Sequence, residues 1–362
     1  MRICFFGSSL VSSYWNGAAT YYRGILKALA KLGHEISFFE PDAFERQSHR
    51  DIADPNWARI IVYPATSDGW QRALESAVRS ADLLVKASGV GVFDRELETS
   101  FVEISSRARR IYWDVDAPAT LEEMTANPLH HLRRAIPRYD AVFTYGGGDP
   151  VVEAYLGFGA RSCVPVYNAL DPEHHFPVQP VDRFGSDLGF LANRLPDREA
   201  RVDAFFLQAA RQMPSKRFLL GGSGWESKQV PANVIRVGHV GTGQHNAFFC
   251  SSLATLNVNR DSMARFGFSP PTRVFEAVGA GACLITDDWK GIDLFLEPGE
   301  EVLVAAGGAE LTGHLDRLTP LRAREIAKRA RRRILAHHTY TQRALEVHEL
   351  IEGSCQRVEA AG

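Results

Sequence analysis

The chain is poor in cysteine, and its few thiols are not spaced for a shared role. Five cysteines occur among 362 residues, and no two of them form a C-x-x-C pair. Their odd number argues against a disulfide framework, and their spacing argues against a structural zinc site. They are Cys4, Cys163, Cys250, Cys283 and Cys355. We therefore expect a chain that folds in a reducing compartment, the cytoplasm, without a bound metal.

An excess of one charge, a long apolar run and low-complexity sequence are also missing. The 41 Lys and Arg residues against 43 Asp and Glu residues leave a net charge of -2, which does not favour nucleic acid as a partner. No apolar stretch is long enough to span a bilayer, and the opening MRICFFG is too short for a signal peptide. We expect a globular protein with no transmembrane segment and no nucleic-acid partner.

Short buried strands alternate with helices along the chain. Residues 3–6, 21–32 and 36–39 have the pattern strand, helix, strand. This βαβ unit builds parallel, doubly wound sheets. The length is about twice that of a typical domain, and prolines cluster around residues 171–181 as in a linker.

The alternation resumes after this linker, with helices expected at residues 198–213, 271–279 and 311–336. The sequence therefore predicts an α/β protein of two Rossmann-like domains, over residues 1–171 and 172–340. A C-terminal helix over residues 341–362 could cross back to the first domain.

The richest group of polar residues follows two strands of the second domain. Asn259 and Arg260 come directly after a strand, and the loop at 267–271 leads into a helix. The free N–H groups and the dipole at that helix N-terminus, with Ser269 and Thr272 beside it, suit a phosphate group. This pattern predicts a diphosphate site.

Two charged side chains on the same helix extend this prediction. Arg273, in the first turn, can donate charge-assisted hydrogen bonds to a diphosphate. Glu276, one turn later, can accept hydrogen bonds from ribose hydroxyls. The alternative is that Arg273 and Glu276, three residues apart, are an exposed helix pair.

The segment GFSPPTRVFEAVGAGACLITDD at residues 267–288 resembles the donor-site signature of the "glycosyl transferases group 1" family. The segments at 112–120, 139–148, 170–177 and 337–340 are similar to its CgeB-like, or spore-maturation-type, branch. This resemblance implies a GT-B fold, in which two Rossmann-like domains face a cleft. It also implies a nucleoside-diphosphate-sugar donor and no required cofactor.

The resemblance also assigns residues within the donor helix. The superfamily carries two glutamates eight positions apart, and these positions fall on Phe268 and Glu276 in this chain. Glu276 keeps the ribose-binding role by resemblance, whereas Phe268 replaces the acid that usually contacts the sugar. The identity of the sugar and the retaining or inverting outcome therefore stay open.

The first domain offers candidates for the acceptor side. Asp114 and Asp116 end a strand, and alternation would point both carboxylates to one side, where one could act as a general base. The alternatives are a turn ahead of Pro118, or a magnesium-type site. Gly7 and Gly17 flank the first strand–helix loop, whose backbone could approach the donor or the acceptor; an ordinary turn is the other interpretation.

Arg194 and Gly222 follow the first two strands of the second domain. Arg194 could bind the diphosphate or be a surface charge, and the glycine-rich turn at 221–224 could meet the nucleobase. There is no G-x-G-x-x-G fingerprint, which disfavours NAD.

These observations predict a glycosyltransferase that moves a sugar from a UDP-, GDP- or dTDP-sugar to a hydroxyl acceptor. A nucleotide-sugar 2-epimerase of the same fold and a non-catalytic nucleotide-sugar-binding protein are the two alternatives.

Overall fold

The computed structural model describes residues 1–14 and 16–359, with side chains as far as Gly353. The chain forms two compact units. Unit 1 comprises Met1–Asn168 together with the chain from Tyr340 onward, and unit 2 comprises Ala169–Thr339. The end of the predicted C-terminal helix, residues 360–362, lies outside the described residues, as does the side chain of Cys355. Within the part of the chain that is described, no helix combines the length and apolarity needed to cross a membrane.

Unit 1 is built on a seven-stranded, fully parallel sheet with the strand order β3-β2-β1-β4-β5-β6-β7. Its strands are β1 (Arg2–Phe6), β2 (Glu35–Asp42), β3 (Ala58–Pro64), β4 (Leu83–Ala87), β5 (Arg109–Asp114), β6 (Ala141–Thr144) and β7 (Cys163–Pro165). Its helices are α1 (Ala19–Lys31), α2 (Ser67–Ser80), α3 (Asp94–Glu103), α4 (Ala117–Ala126), α5 (Leu132–Ala135) and α6 (Gly148–Gly157), and α14 (Tyr340–Glu359) closes the chain.

Stacked aromatic rings hold the first strands of unit 1 in register. Phe5 stacks on Phe38 with ring centroids 5.4 Å apart, and Phe6 stacks on Phe39 at 4.5 Å. All four side chains are buried, because helices cover both faces of a parallel sheet. Because both faces of the sheet are covered, its strands appear in the sequence as short apolar runs.

The C-terminal helix α14 packs on α1 within unit 1. Gly24 of α1 lies against the ring of Tyr340, so close that a Cβ atom at Gly24 would fall 2.2 Å from Tyr340 ring carbons. At the far end, the Arg109 guanidinium donates to the carbonyl oxygen of Ile351 at 2.5 Å. Helix α14 therefore belongs to unit 1, although unit 2 separates it in the chain from the rest of unit 1.

Unit 2 is built on a six-stranded parallel sheet with the order β10-β9-β8-β11-β12-β13. Its strands are β8 (Ser186–Leu191), β9 (Phe218–Gly221), β10 (Val234–Gly238), β11 (Ser252–Asn257), β12 (Leu284–Asp287) and β13 (Leu303–Ala305). Its helices are α7 (Pro196–Val202), α8 (Gln208–Gln212), α9 (His245–Ser251), α10 (Asp261–Phe266), α11 (Thr272–Gly279), α12 (Gly308–Arg317) and α13 (Pro320–His337). Both units therefore have the predicted α/β, doubly wound class.

Two predicted helices of unit 2 differ in detail. The helix expected at 198–213 contains a π-helical segment, Asp203–Leu207, between α7 and α8. The helix expected at 311–336 is two helices, because Pro320 cannot continue α12 but fits the first turn of α13. Thr319 caps that turn, its hydroxyl accepting from the Arg322 amide at 3.2 Å.

We predict that Gly24→Ala destabilises unit 1. The added methyl group must displace the buried Tyr340 ring, and overpacking of this kind costs about 1–3 kcal/mol. Gly157→Ala is the control, since Gly157 is also a helical glycine, the last residue of α6, and nothing lies within 4 Å of its Cβ position. Denaturant unfolding monitors both variants. Equal stability of the two would contradict the close packing of α1 and α14.

Candidate functional site

The strand order of unit 2 reverses between β8 and β11. In an open parallel sheet, ligands bind in the crevice outside the carboxyl ends of the strands at such a switch point. Three strand ends meet there and carry polar groups: the Leu191 carbonyl of β8, Asn257 of β11 and Asp287 of β12.

Arg273 connects two of these strand ends. Its Nε donates to the Leu191 carbonyl oxygen at 2.8 Å, and its terminal nitrogen donates to Asn257 Oδ1, also at 2.8 Å. The guanidinium lies 5.3 Å from the centre of the Phe190 ring. The exposed-pair alternative for Arg273 and Glu276 does not describe Arg273, which points into the crevice.

Buried polar groups hold Asn257, which accepts a hydrogen bond from Arg273. Asn257 Nδ2 donates to Asn259 Oδ1 at 3.1 Å and to Thr286 Oγ1 at 3.0 Å. The Asn259 amide donates to Asp287 Oδ2 at 3.1 Å, and Arg201 forms an ion pair with the same carboxylate at 2.6 Å. Burial raises the pKa of Asp287, while Arg201 acts in the opposite direction. The Nδ2 of Asn259 is buried without a hydrogen-bond partner.

Arg198, at the start of α7, is the most perturbed cation of the crevice. Burial and the nearby charges of Arg273 and Arg260 lower its pKa to about 9, although Asp197 and Asp287 act in the opposite direction. Its Nε is buried without a hydrogen-bond partner, and a terminal nitrogen donates to a backbone carbonyl, that of Asn193, at 2.6 Å. A cation held among like charges, with an unused donor, is a site that an anion would stabilise.

The N-terminus of α11 follows this cluster along the chain. Thr272 is its first residue, and no side chain caps the preceding Pro271. Ser269 is buried, and its hydroxyl donates to the Gly267 carbonyl at 3.0 Å, which shapes the loop. A helix start without a side-chain cap suits an anion.

Phe268 has a backbone conformation that is rare for its residue type. Its φ is 49°, in the left-handed region, and the preceding Gly267 also has a positive φ of 72°. The Phe268 ring covers Gly291, where a Cβ atom would lie 2.3 Å from it, and the Lys290 ammonium lies 5.4 Å from its centre. Strained conformations of this kind concentrate at binding sites.

Glu276 lies with two histidines on the far side of the same helix start. Its carboxylate is 13% exposed and lies 3.9 Å from His175 Nε2. The Nδ1 of His175 is buried without a hydrogen-bond partner. Burial lowers the pKa of the nearby His245, and the charge of Glu276 acts in the opposite direction. The carboxylate is thus placed in a small polar pocket of unit 2.

Arg194 and Gly222 lie at the neighbouring strand ends, where each has a structural contact within unit 2. Arg194 forms a two-pronged ion pair with Glu199, both contacts at 2.8 Å, and also donates to Ser227. Gly222 has φ 115°, and its Cβ position would lie 2.1 Å from the Ala192 carbonyl oxygen. Its glycine is therefore required by the approach of two backbone segments.

In unit 1 the two aspartates predicted at a strand end have different environments. Asp114 is fully buried, and its carboxylate accepts from Ser88 at 2.7 Å, from the Asp116 amide at 3.0 Å and from the Tyr155 hydroxyl. Burial raises its pKa. The prediction of a carboxylate at the rim does not describe Asp114, because its three donors close it off. Asp116 is half-buried and precedes α4.

The two glycines of the first loop also differ. Gly7 is buried, and a Cβ atom there would lie 2.5 Å from the Phe38 ring, so packing alone requires a glycine. Its amide donates to the Phe39 carbonyl at 3.1 Å and is not available to a ligand. Gly17 is exposed, with nothing within 4 Å of its Cβ position.

Sequence reasoning missed four side chains of the crevice: Arg198, Arg201, His175 and His245. The first two stand three residues apart in the first turns of a helix that follows β8, and this spacing was a usable signal. The two histidines had no such signal, because they are 70 residues apart in the chain and meet only through tertiary packing.

Known proteins resemble this chain in sequence and in fold. A family described as "Glycosyl transferase-like" matches residues 198–349. The chain is similar to a sucrose-phosphate synthase from Thermosynechococcus elongatus, with 15% identity, 100% of each chain covered and a TM-score of 0.71. No curated protein matches the sequence.

Two further solved structures have the same fold. HepE from Anabaena, solved in complex with UDP and glucose, is 14% identical over 98% of this chain and 100% of its own, with a TM-score of 0.67. An alpha-glucosyltransferase, solved with UDP and a 13-mer DNA, is 12% identical over 97% and 99%, with a TM-score of 0.69. The predicted GT-B fold is confirmed by these likenesses. The predicted class, a glycosyltransferase, is confirmed by the family match.

We predict that Arg198→Gln weakens UDP binding about ten- to hundredfold, the contribution of a charge-assisted hydrogen bond, and leaves uridine binding unchanged. The same variant should raise the melting temperature of the ligand-free protein, because it removes a buried charge among like charges.

Calorimetric titration and thermal unfolding measure the two effects. Arg211→Gln, at an exposed position of α8, is the matched control and should change neither. An Arg198→Gln protein that binds UDP as tightly as wild type would contradict this assignment.

Proposed function

We propose that the chain transfers a sugar from a UDP-sugar to a hydroxyl acceptor, and that unit 2 binds the donor. The observation that carries the proposal is the under-used Arg198 guanidinium beside Arg273 and Arg260, at the switch point of the sheet. Uracil is the base we propose, because HepE and the alpha-glucosyltransferase were both solved with UDP.

The diphosphate would lie between Arg198 and the start of α11. Arg273 is already held by Leu191 and Asn257, so its guanidinium is pre-positioned and loses little freedom on binding. The Thr272 and Ser269 region would add backbone N–H donors. As the bond between sugar and diphosphate breaks, negative charge develops on the diphosphate, and these groups would stabilise it.

Arg260 and Arg194 would have supporting roles in this arrangement. Arg260 pairs with Asp197 through its Nε at 2.5 Å and adds positive charge beside Arg198. Arg194, paired with Glu199, would hold the turn at Gly222 in place, next to the nucleobase. Asn259, whose Nδ2 is buried without a hydrogen-bond partner, would donate a hydrogen bond to the nucleotide-sugar.

The ribose and the sugar would lie on either side of the diphosphate. Glu276 would accept from the ribose hydroxyls, with His175 next to it. Phe268 would face the sugar where related enzymes carry an acid, so an apolar ring face would contact it there. We further propose membership of the CgeB-like branch, on the sequence segments at 112–120 and 337–340, and a cytoplasmic location, on the low and odd number of cysteines.

Unit 1 would be the acceptor domain. Asp116, half-buried ahead of α4, would be its base if the reaction inverts configuration. Asp114 would position it, since the Asp116 amide donates to the Asp114 carboxylate. Gly17 would lie in the loop that approaches the ligands.

The test of the donor site uses the ribose hydroxyls. We predict that wild type binds UDP at least tenfold more tightly than its 2′,3′-dideoxy analogue, because hydrogen bonds to a charged carboxylate contribute about 1.5–3 kcal/mol. Glu276→Gln should lose most of this preference, whereas Arg198→Gln should keep it and bind both ligands weakly. Glu226→Gln, an exposed carboxylate of unit 2, is the control.

A preference that survives in Glu276→Gln would contradict the ribose assignment. Thermal shifts with UDP, GDP, dTDP and ADP identify the base, since ligands that bind the native state raise its stability. Sugar transfer only when an acceptor is supplied distinguishes the transferase from an epimerase. Absence of turnover with every donor and acceptor, despite UDP binding, would favour a binding protein.

A further inference from the structure

A cluster of metal-ligating side chains lies in unit 1, away from the residues assigned above. His34 stands between α1 and β2, and His348 and Glu352 stand one turn apart on α14. His34 Nε2 lies 2.9 Å from His348 Nδ1, and His348 Nδ1 lies 4.0 Å from Glu352 Oε1. All three ligand atoms lie within 4.8 Å of one another.

These separations are close to those of a tetrahedral ion. Ligand atoms about 2.0–2.2 Å from zinc stand about 3.4 Å apart from each other. The present 2.9 Å contact between the imidazoles is a hydrogen bond and would open slightly, while the 4.0 Å contact would close slightly. Both adjustments fall on His348 and Glu352, whose side chains are 33% and 51% exposed and able to change rotamer.

The helix supplies two ligands with the correct spacing. Residues four apart in an α-helix lie on one face, one above the other, so His348 and Glu352 reach the same point. The third ligand is fixed, because His34 is 5% exposed and held in the turn that precedes β2. A fixed ligand and two adjustable ones reduce the ordering cost of binding an ion.

The Nδ1 of His34 is buried and has no hydrogen-bond partner, so the Nε2 side makes the polar contacts of this buried ring.

We propose that His34, His348 and Glu352 bind one divalent ion of the zinc class. Two imidazoles and one carboxylate suit zinc, cobalt or nickel, whereas magnesium and calcium prefer sites made of oxygen atoms. The remaining coordination position faces the exposed side of Glu352 and takes water. The ion joins α14 to the turn between α1 and β2, so its binding stabilises the docking of the C-terminal helix.

The test uses the full chain after treatment with a chelator. Titration with Co²⁺ should give one site per chain with the intense visible bands of a tetrahedral ion, and Zn²⁺ should displace them. His348→Ala should weaken binding at least a hundredfold and abolish these bands, and Glu352→Gln should weaken it at least tenfold. His337→Ala removes an exposed histidine of unit 2 and should bind as wild type.

A second measurement separates this site from adventitious binding. Zn²⁺ should raise the melting temperature of wild type and of His337→Ala but not that of His348→Ala. Circular dichroism without metal confirms that each variant is folded. Absence of a Co²⁺ band in wild type, or equal binding by His348→Ala and wild type, would overturn the proposal. UDP binding should be unchanged in every variant of this cluster, so the result does not depend on the donor site.

Discussion

Arg273 joins the carboxyl ends of β8 and β11, at the point where the strand order of the second sheet reverses. It does so with two hydrogen bonds, to a backbone carbonyl and to Asn257. Because a guanidinium is planar and permanently charged, these two hydrogen bonds fix the plane of the charged group. The crevice therefore has a fixed positive point before any ligand arrives, and the neighbouring side chains must adapt to it.

The adaptation is visible in the buried polar groups and in Arg198. Asp287 is buried at the end of β12 and is compensated by Arg201 and the Asn259 amide. Arg198 has a lowered pKa because it is desolvated beside Arg273. A ligand-free site of this kind is less stable than a neutral one would be, and an anionic ligand relieves the strain. Function and stability are opposed at this point, as in many binding sites.

Much of the fold followed from local patterns. Short apolar strands that end in glycine or a polar residue, separated by helices, predict a doubly wound parallel sheet, and both units have one. Two helices of unit 2 were predicted as continuous but are not. Pro320 divides one of them, although the apolar periodicity continues across it, and a π-helical segment interrupts the other. Periodicity measures which face is buried, and it does not register a single extra residue in a turn.

The polar start of α11 was predictable because its residues are close together in the chain. Thr272, Arg273 and Glu276 lie within one and a half turns, so their order alone places a cation and an acid near one helix start. Asp114 shows the opposite case. Alternation along a strand indicates which side a carboxylate points to, but three donors from other elements decide that it is buried.

The sequence by itself determined the class of fold and the position of Arg273 and Glu276 on one helix, α11. Tertiary structure alone decided which other residues join them. Arg198 acquires its character from burial beside Arg273, and His34 meets His348 across more than 300 positions. Such contacts depend on how helices and strands pack, and packing energy is spread over many apolar residues that carry no information about the polar groups they bring together.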